Sequence, residues 1–206
     1  MIVESILLII IAYLVGSLST GMILSKIVGT GDLQKEGSKN IGATNVSRLM
    51  GLKWGIITLL GDALKGMIVI WTGRWFFVEE SPSGLLIICI MGLAVFLGHL
   101  FPLFLRFKGG KGVATALGIF ILLAPKVILI AIPVFILAVY FGKFISLGSM
   151  LAAGSFPILL ILFNYHYYIV LLACGIAAGV IAKHKENILR LIRGEEKPWR
   201  LKDKTK

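Results

Sequence analysis

Leu85-Leu86-Ile87-Ile88-Cys89-Ile90-Met91-Gly92-Leu93-Ala94-Val95-Phe96-Leu97-Gly98-His99-Leu100-Phe101-Pro102-Leu103-Phe104-Leu105 contains no Lys, Arg, Asp or Glu, and its one basic group is His99. About 20 apolar residues are needed for a helix to cross about 30 Å of hydrocarbon. Lipid offers no water to backbone N–H and C=O groups, so an uncharged run of this length is stable there only as a helix. The run reads as a transmembrane helix that carries a histidine near one end. After it comes Phe107-Lys108-Gly109-Gly110-Lys111-Gly112-Val113-Ala114-Thr115, a glycine-rich loop with two lysines. Backbone amides without side chains, beside cations, suit an anion such as phosphate.

The rest of the chain repeats this solvent preference. Of its 206 residues 58% are hydrophobic and 15% charged, and the mean hydropathy is +0.96. A soluble domain of this size could not bury so much apolar surface. The fold class expected is all-α, a polytopic integral membrane helical bundle forming one domain over residues 1–206 with a basic tail from about Lys183. The net charge of +11 lies between and after apolar runs, which points to anionic lipid or substrate and to no nucleic acid. Cys89 and Cys174 sit inside apolar runs and read as free thiols. The N-terminus begins with Glu4 rather than a basic cluster and reads as a retained span, not a cleaved signal.

The apolar segments run from about Ile2 to Val28, Leu52 to Trp71, Leu85 to Leu105, Val113 to Ala124 and Val127 to Phe141. Leu147 to Ile181 is too long for one crossing and is interrupted by Asn164, Tyr165 and His166, so it folds into two. About seven transmembrane helices result, with five if the late pairs are each one crossing. Pro125 and Lys126 favour a turn between the fourth and fifth segments. Lysine and arginine set the orientation. With the N-terminus outside, the inner segments hold Lys26, Lys35, Lys39, Arg48, Lys53, Arg106, Lys108, Lys111, Lys143 and nine cations from Lys183 onward. The outer turns hold only Arg74 and Lys126. Every polar motif thereby falls on the cytoplasmic face, the C-terminus included.

Gly37-Ser38-Lys39-Asn40-Ile41-Gly42-Ala43-Thr44-Asn45-Val46-Ser47-Arg48 concentrates hydrogen-bonding groups in one loop. Arg48 can clamp a phosphate through two parallel bonds. The same pattern also fits a solvated loop capping the next helix through Thr44 or Asn45. The Lys108 to Lys111 loop resembles a fragment of a nucleotide P-loop but fails its pattern. Gly112, not Ser or Thr, follows Lys111, and Leu105 stands where the first glycine is required. Anion binding by the Gly109, Gly110 and Gly112 amides remains, at the start of the helix near Val113. His99 is either a packed core histidine or a functional group, since an ionisable side chain at membrane depth is costly. Asp62 and Lys65 lie three apart on one helix face and can neutralise each other. Gly16, Ser17, Ser19 and Gly21 suit close helix packing. In the tail, His184, Asn187 and Arg190 share one helix face, with Ile188, Leu191 and Ile192 on the other. A surface anchor would need neither His184 nor Asn187.

These three clusters, Gly37 to Arg48, Gly98 to Thr115 and His184 to Arg193, closely resemble the bacterial acyl-phosphate:glycerol-3-phosphate acyltransferases, and the resemblance extends over essentially the whole chain. Ser146-Leu147-Gly148-Ser149 resembles that family's junction between late spans, while Lys39 stands where the family commonly has glycine. The resemblance implies transfer of a fatty acyl group from acyl phosphate to the 1-hydroxyl of glycerol 3-phosphate, giving lysophosphatidic acid and phosphate at the cytoplasmic side of the bacterial inner membrane. Implied phosphate-binding residues are Ser38, Asn40, Thr44, Asn45, Arg48, Lys108, Gly109, Gly110, Lys111 and Ser146. His99 is the first candidate for base or orienter and His184 the second, with Asn187 beside it. Substrate phosphate is the alternative proton acceptor.

Partners are acyl phosphate, glycerol 3-phosphate and membrane lipid, with a soluble acyl-phosphate-producing enzyme as a further candidate. No cofactor or metal is expected. The His-x-x-x-x-Asp motif of other acyltransferases is absent, since Phe104 follows His99 by five. An organic-phosphate transporter is the alternative class, because glycine-rich cationic loops also suit anion translocation.

Overall fold

The computed structural model describes residues 2–199, and all regular structure among them is helical. Arg200, Lys202, Lys204 and Lys206 of the basic tail lie outside the described residues. α1 (Ile2–Ser17) and α2 (Thr20–Val28) form a pair bent by 42°. The break is local chemistry: Ser17 Oγ donates to the Tyr13 carbonyl at 2.9 Å, and Ser19 Oγ caps α2 by accepting from the Met22 amide at 3.3 Å. Short α3 (Ala43–Met50) precedes α4 (Leu52–Phe76) and α5 (Pro82–Leu100), the latter capped by Ser81 with Pro82 in its first turn. A 3-10 turn, Leu103–Leu105, leads into the glycine loop. α6 (Val113–Leu123), α7 (Pro125–Gly142) and α8 (Ile145–Leu162) follow. α9 (Tyr167–Lys183) and α10 (Lys185–Ile192) are bent by 56° at His184.

Each apolar segment expected from the sequence is helical, but they are not equal in reach. By length and composition α4, α5 with its 3-10 extension, α7 and α8 are long enough to cross a membrane, and each bent pair adds one more, giving four to six. α6 has 11 residues, about 16 Å at 1.5 Å per residue, so it falls short of the bilayer. The turn at Pro125 forms as expected: Ala124 ends α6, and Pro125 opens α7 where its missing amide costs no helical bond. The long final stretch divides at Asn164, whose φ of 55° lies in the left-handed region.

The outer surface is apolar, with exposed Ile6, Leu60, Leu129, Ile136 and Ile158 along the helix shafts and exposed Trp71, Trp75, Phe76, Tyr140, Phe141 and Tyr167 near helix ends. That is the distribution of lipid-facing aliphatics with aromatic belts. Inside, Ile70, Ile88, Met91, Val95, Phe96, Ile119 and Leu160 are fully buried. Apolar burial gives little drive for helices to associate within lipid, so close backbone approach matters more. α1 packs on α5 through Gly16 against the Val95 backbone and Gly98 against the Tyr13 carbonyl. α4 packs on α6 through Gly66 against the Thr115 carbonyl and Gly118 against the Ala63 backbone. A Cβ at any of the four would overlap main chain.

Gly118→Val should therefore cost at least about 1–3 kcal/mol through overpacking, read as a lower unfolding temperature in detergent. Gly154, in α8 with open space where its Cβ would lie, is the control. Gly154→Ala should stabilise by about 0.5–1 kcal/mol through backbone entropy and helix propensity.

Candidate active site

The polar motifs meet at one end of the bundle, around a cleft of about 320 Å³. Its walls come from the loop before α3, α3 itself, the first half of α4, the end of α5, the start of α6, the start of α8 and the α9–α10 corner with the segment after it. Successive helices run in alternating directions, so these starts and ends coincide in space although they are scattered in sequence.

The first wall is organised by Asn45. Its side chain is buried, with Nδ2 donating to the carbonyls of Leu33, Glu36 and Asn40 at 3.2, 3.1 and 2.8 Å and Oδ1 accepting from the Ser38 amide at 2.8 Å. Asn40 Oδ1 accepts from the Gly42 amide at 2.9 Å, an Asx turn. These two asparagines shape the loop, and Gly42, not Thr44 or Asn45, is the N-cap of α3. What the folded loop offers the cleft is Ser38 Oγ, Thr44 Oγ1 and the Arg48 guanidinium, all lining it with no side-chain hydrogen bond to protein among the described residues. Lys39 has φ 55°. That is a left-handed position, which glycine adopts more readily than lysine.

The glycine loop performs a different task from the one its composition suggests. The Gly110 amide donates to the His99 carbonyl at 3.1 Å. A Cβ on Gly109 would overlap the His99 and Leu100 carbonyls, one on Gly110 would overlap His99 Nε2, and one on Gly112, at φ 81°, would overlap the Phe96 ring. The glycines let the loop lie flat on the end of α5. Gly109, Gly110 and Lys108 do not line the cleft, and Lys108 is exposed with its carbonyl accepting from Gln34 Nε2 at 2.7 Å. Lys111 does line it, as do Val113 and Ala114 in the first turn of α6, where helix amides lack intrahelical acceptors and attract anions. The Lys111 ammonium donates to Asn187 Oδ1. Burial pushes the Lys111 pKa down to about 8, with Arg190 and Arg48 acting in the same direction and Glu196 and Glu186 opposing.

Both histidines line the cleft and are buried, and their ring nitrogens face opposite kinds of partner. Lys65 Nζ lies 3.1 Å from the Gly16 carbonyl, 3.0 Å from the Leu18 carbonyl, 3.1 Å from Asp62 Oδ1 and 2.7 Å from His99 Nδ1. Surrounded by oxygen acceptors and a carboxylate, Lys65 acts as an ammonium donor. His99 Nδ1 therefore accepts, and its hydrogen is on Nε2. His184 is the reverse case. Nδ1 sits 2.8 Å from the Val180 carbonyl, which can only accept, so Nδ1 carries the hydrogen and Nε2 keeps its lone pair.

The remaining wall joins Ser146, Ser149, Asn187 and Glu196. The Glu196 carboxylate accepts from Ser146 Oγ at 2.8 Å, Asn187 Nδ2 at 2.6 Å and Arg190 Nε at 2.7 Å. Burial pushes the Glu196 pKa up, but those three bonds outweigh it and hold it below the usual carboxylate range. Sequence reasoning passed over Glu196. The one available signal was an acidic residue inside a basic tail. Among the described residues no three His, Cys, Asp or Glu side chains are grouped to hold a metal ion.

A second, apolar groove of about 230 Å³ lies between α6, α7, α8 and α9. It shares Leu59, Val113, Ala114, Phe135 and Ser149 with the polar cleft, so the two are continuous.

Comparison with known proteins places this architecture. Residues 6–194 match the family model described as glycerol-3-phosphate acyltransferase. Glycerol-3-phosphate acyltransferases of Trichlorobacter lovleyi and Desulfotalea psychrophila are 50% and 44% identical, covering 92% and 93% of this chain and 94% and 96% of theirs. Crystal structures of PlsY, an integral membrane glycerol 3-phosphate acyltransferase, superpose with TM-scores of 0.90 for the glycerol 3-phosphate form and 0.88 for the lysophosphatidic acid form. Those chains are 38% and 36% identical to this one, with 96% of each chain covered. The chain belongs to the glycerol-3-phosphate acyltransferase family and is a multi-pass membrane protein.

Proposed function

We propose that the protein transfers a fatty acyl group from acyl phosphate to the 1-hydroxyl of glycerol 3-phosphate, with its cleft facing the cytoplasm at the bacterial inner membrane. The observation that carries this is the continuity of a cationic, hydroxyl-lined cleft with an apolar groove. A donor with a phosphate head and a hydrocarbon tail fills both at once, while the second substrate needs only the polar part. Two anion-binding groups favour two phosphates: Arg48 with Ser38 and Thr44 on one side, and Lys111 with the start of α6 on the other. Family membership favours acyl transfer over transport, and the bias of Lys and Arg toward this end supports a cytoplasmic cleft.

The reaction is written as a direct displacement. The hydroxyl oxygen of glycerol 3-phosphate bonds to the acyl carbon, the bond from that carbon to the bridging phosphate oxygen breaks, and phosphate leaves with the electron pair. Acyl phosphate is an activated anhydride, so the protein's work is to orient the reactants and stabilise charge. Arg48, Lys111 and the α6 amides neutralise the phosphates. His99, whose Nδ1 accepts from Lys65 and whose Nε2 lies against Gly110, has no free lone pair with which to take the proton. His184 Nε2 accepts a hydrogen bond from the attacking hydroxyl and aims it. The proton finishes on the phosphate that leaves, whose second ionisation lies near neutrality. His184 thereby replaces His99 as the group assigned to the nucleophile, and His99 holds the glycine loop and Lys65 in place.

Turnover should show an acid limb set by substrate phosphate, and that limb should persist in His184→Gln, which retains an acceptor, with turnover within about tenfold of wild type. A loss on the order of 10² to 10⁴ with disappearance of the limb would instead make His184 the general base. Arg48→Ala removes a charged hydrogen-bonding group and should lower kcat/KM by about 10- to 100-fold. Lys111 is cationic below about pH 8 and neutral above it, so KM should rise as pH passes upward through about 8. Lys111→Arg should abolish that rise because a guanidinium stays charged.

A further inference from the structure

The segment after α10 lines the cleft through Glu196, Lys197 and Trp199 and has no part in the reaction described above. Gly194, at φ 70°, reverses the chain, and the Glu195 amide closes the end of α10 on the Arg190 carbonyl at 2.8 Å. At the far end the Trp199 amide donates to the Lys143 carbonyl at 2.7 Å, which ties the segment to the junction between α7 and α8. Between these anchors Glu196 is buried, with Ser146, Asn187 and Arg190 as its donors. By charge alone, a carboxylate at the edge of a phosphate-binding cleft opposes the substrates. A compensating role is needed.

Its geometry supplies one. An Asn amide has one accepting and one donating end. With Nδ2 committed to Glu196, Oδ1 of Asn187 must face the other way, and there it receives the Lys111 ammonium. If the carboxylate is lost, only the Lys111 ammonium itself favours that orientation, and a flipped amide would present its NH₂ to it. We propose that Glu196 is a positioning residue that acts through Asn187 to hold Lys111 at the phosphate site, making the segment 194–199 part of the substrate-binding machinery. The proposal rests on the reading of Lys111 as a phosphate-binding cation.

Lys111 is faced by Glu196 and Glu186, by Arg190 and Arg48, and by His184. Burial and the two arginines favour its neutral form, while the two carboxylates favour its charged form. Removing the Glu196 charge tips that balance, and the proton is lost at lower pH. A brace that merely held the tail in place would not move this titration.

The test compares wild type, Glu196→Gln and Lys111→Arg/Glu196→Gln as full-length protein in detergent, with kcat and KM for glycerol 3-phosphate and acyl phosphate measured from pH 6 to 9.5. In Glu196→Gln the alkaline rise in KM should begin about one pH unit lower, equivalent to a tenfold change in the protonation constant. KM at pH 8 should then be about fivefold above wild type and at pH 6 within about twofold. Lys111→Arg in the same protein should remove the displacement. Should Glu196→Gln fail to fold, Glu196→Asp, which draws the carboxylate back by one methylene, must shift the rise in the same direction by less. An unmoved alkaline rise in the folded variant overturns the proposal, even if kcat falls. Absence of turnover in wild type would overturn the acyl-transfer reading instead.

Discussion

One buried ammonium organises the core of this enzyme. Lys65 lies in α4, among apolar helices, and holds the open carbonyls of Gly16 and Leu18 at the α1–α2 break, the Asp62 carboxylate and the His99 ring. A backbone break inside lipid is tolerated only if its freed carbonyls find donors. A buried lysine is tolerated only with a counter-charge and hydrogen bonds. Each defect satisfies the other. Thr20 Oγ1 adds a donor to Asp62 at 3.2 Å, tying α2 to the same cluster. Removing one member would leave an uncompensated charge in low dielectric, which is far worse than never having placed the pair there.

From that cluster the site is built outward by contact. Lys65 fixes His99, the backbone of His99 holds the Gly110 amide, and the glycines allow the loop to lie on α5 so that Lys111 and the start of α6 reach the cleft. Glycine contacts on α4 hold α6 at the distance this requires. α6 has only 11 residues and is too short to span, yet its shortness places its amide-rich start beside the other helix ends. The apolar groove then opens directly below, and a lipid-soluble substrate can meet a water-soluble one without either crossing the bilayer.

Much of this was legible in the sequence because solvent preference and charge bias act residue by residue. The Leu85 to Leu105 run, the Pro125 turn and the division near Asn164 all followed from local composition. The clustering of the polar motifs at one end followed from the lysines and arginines between spans. Short-range pattern fails where one residue serves a distant one. Gly109 and Gly110 looked like an anion cradle because nothing local reveals that α5 passes beneath them. Asn45 looked like a cap or a ligand, but its partners are loop carbonyls up to 12 residues away. Glu196 and Ser146 are 50 residues apart, and no periodicity links them. The tautomers of His99 and His184 depend on Lys65 and on a carbonyl one turn earlier, so the ranking of the two histidines could only be read in three dimensions.

Transfer of the acyl group directly from acyl phosphate to the hydroxyl of glycerol 3-phosphate leaves no acylated protein. The most direct test is to incubate purified protein with acyl phosphate, first without and then with glycerol 3-phosphate, while following released phosphate, lysophosphatidate and the intact mass of the protein. Direct transfer predicts no phosphate burst and no acyl adduct without glycerol 3-phosphate, and equal amounts of phosphate and lysophosphatidate once it is added. A stoichiometric burst of phosphate with an acylated protein in its absence would contradict it.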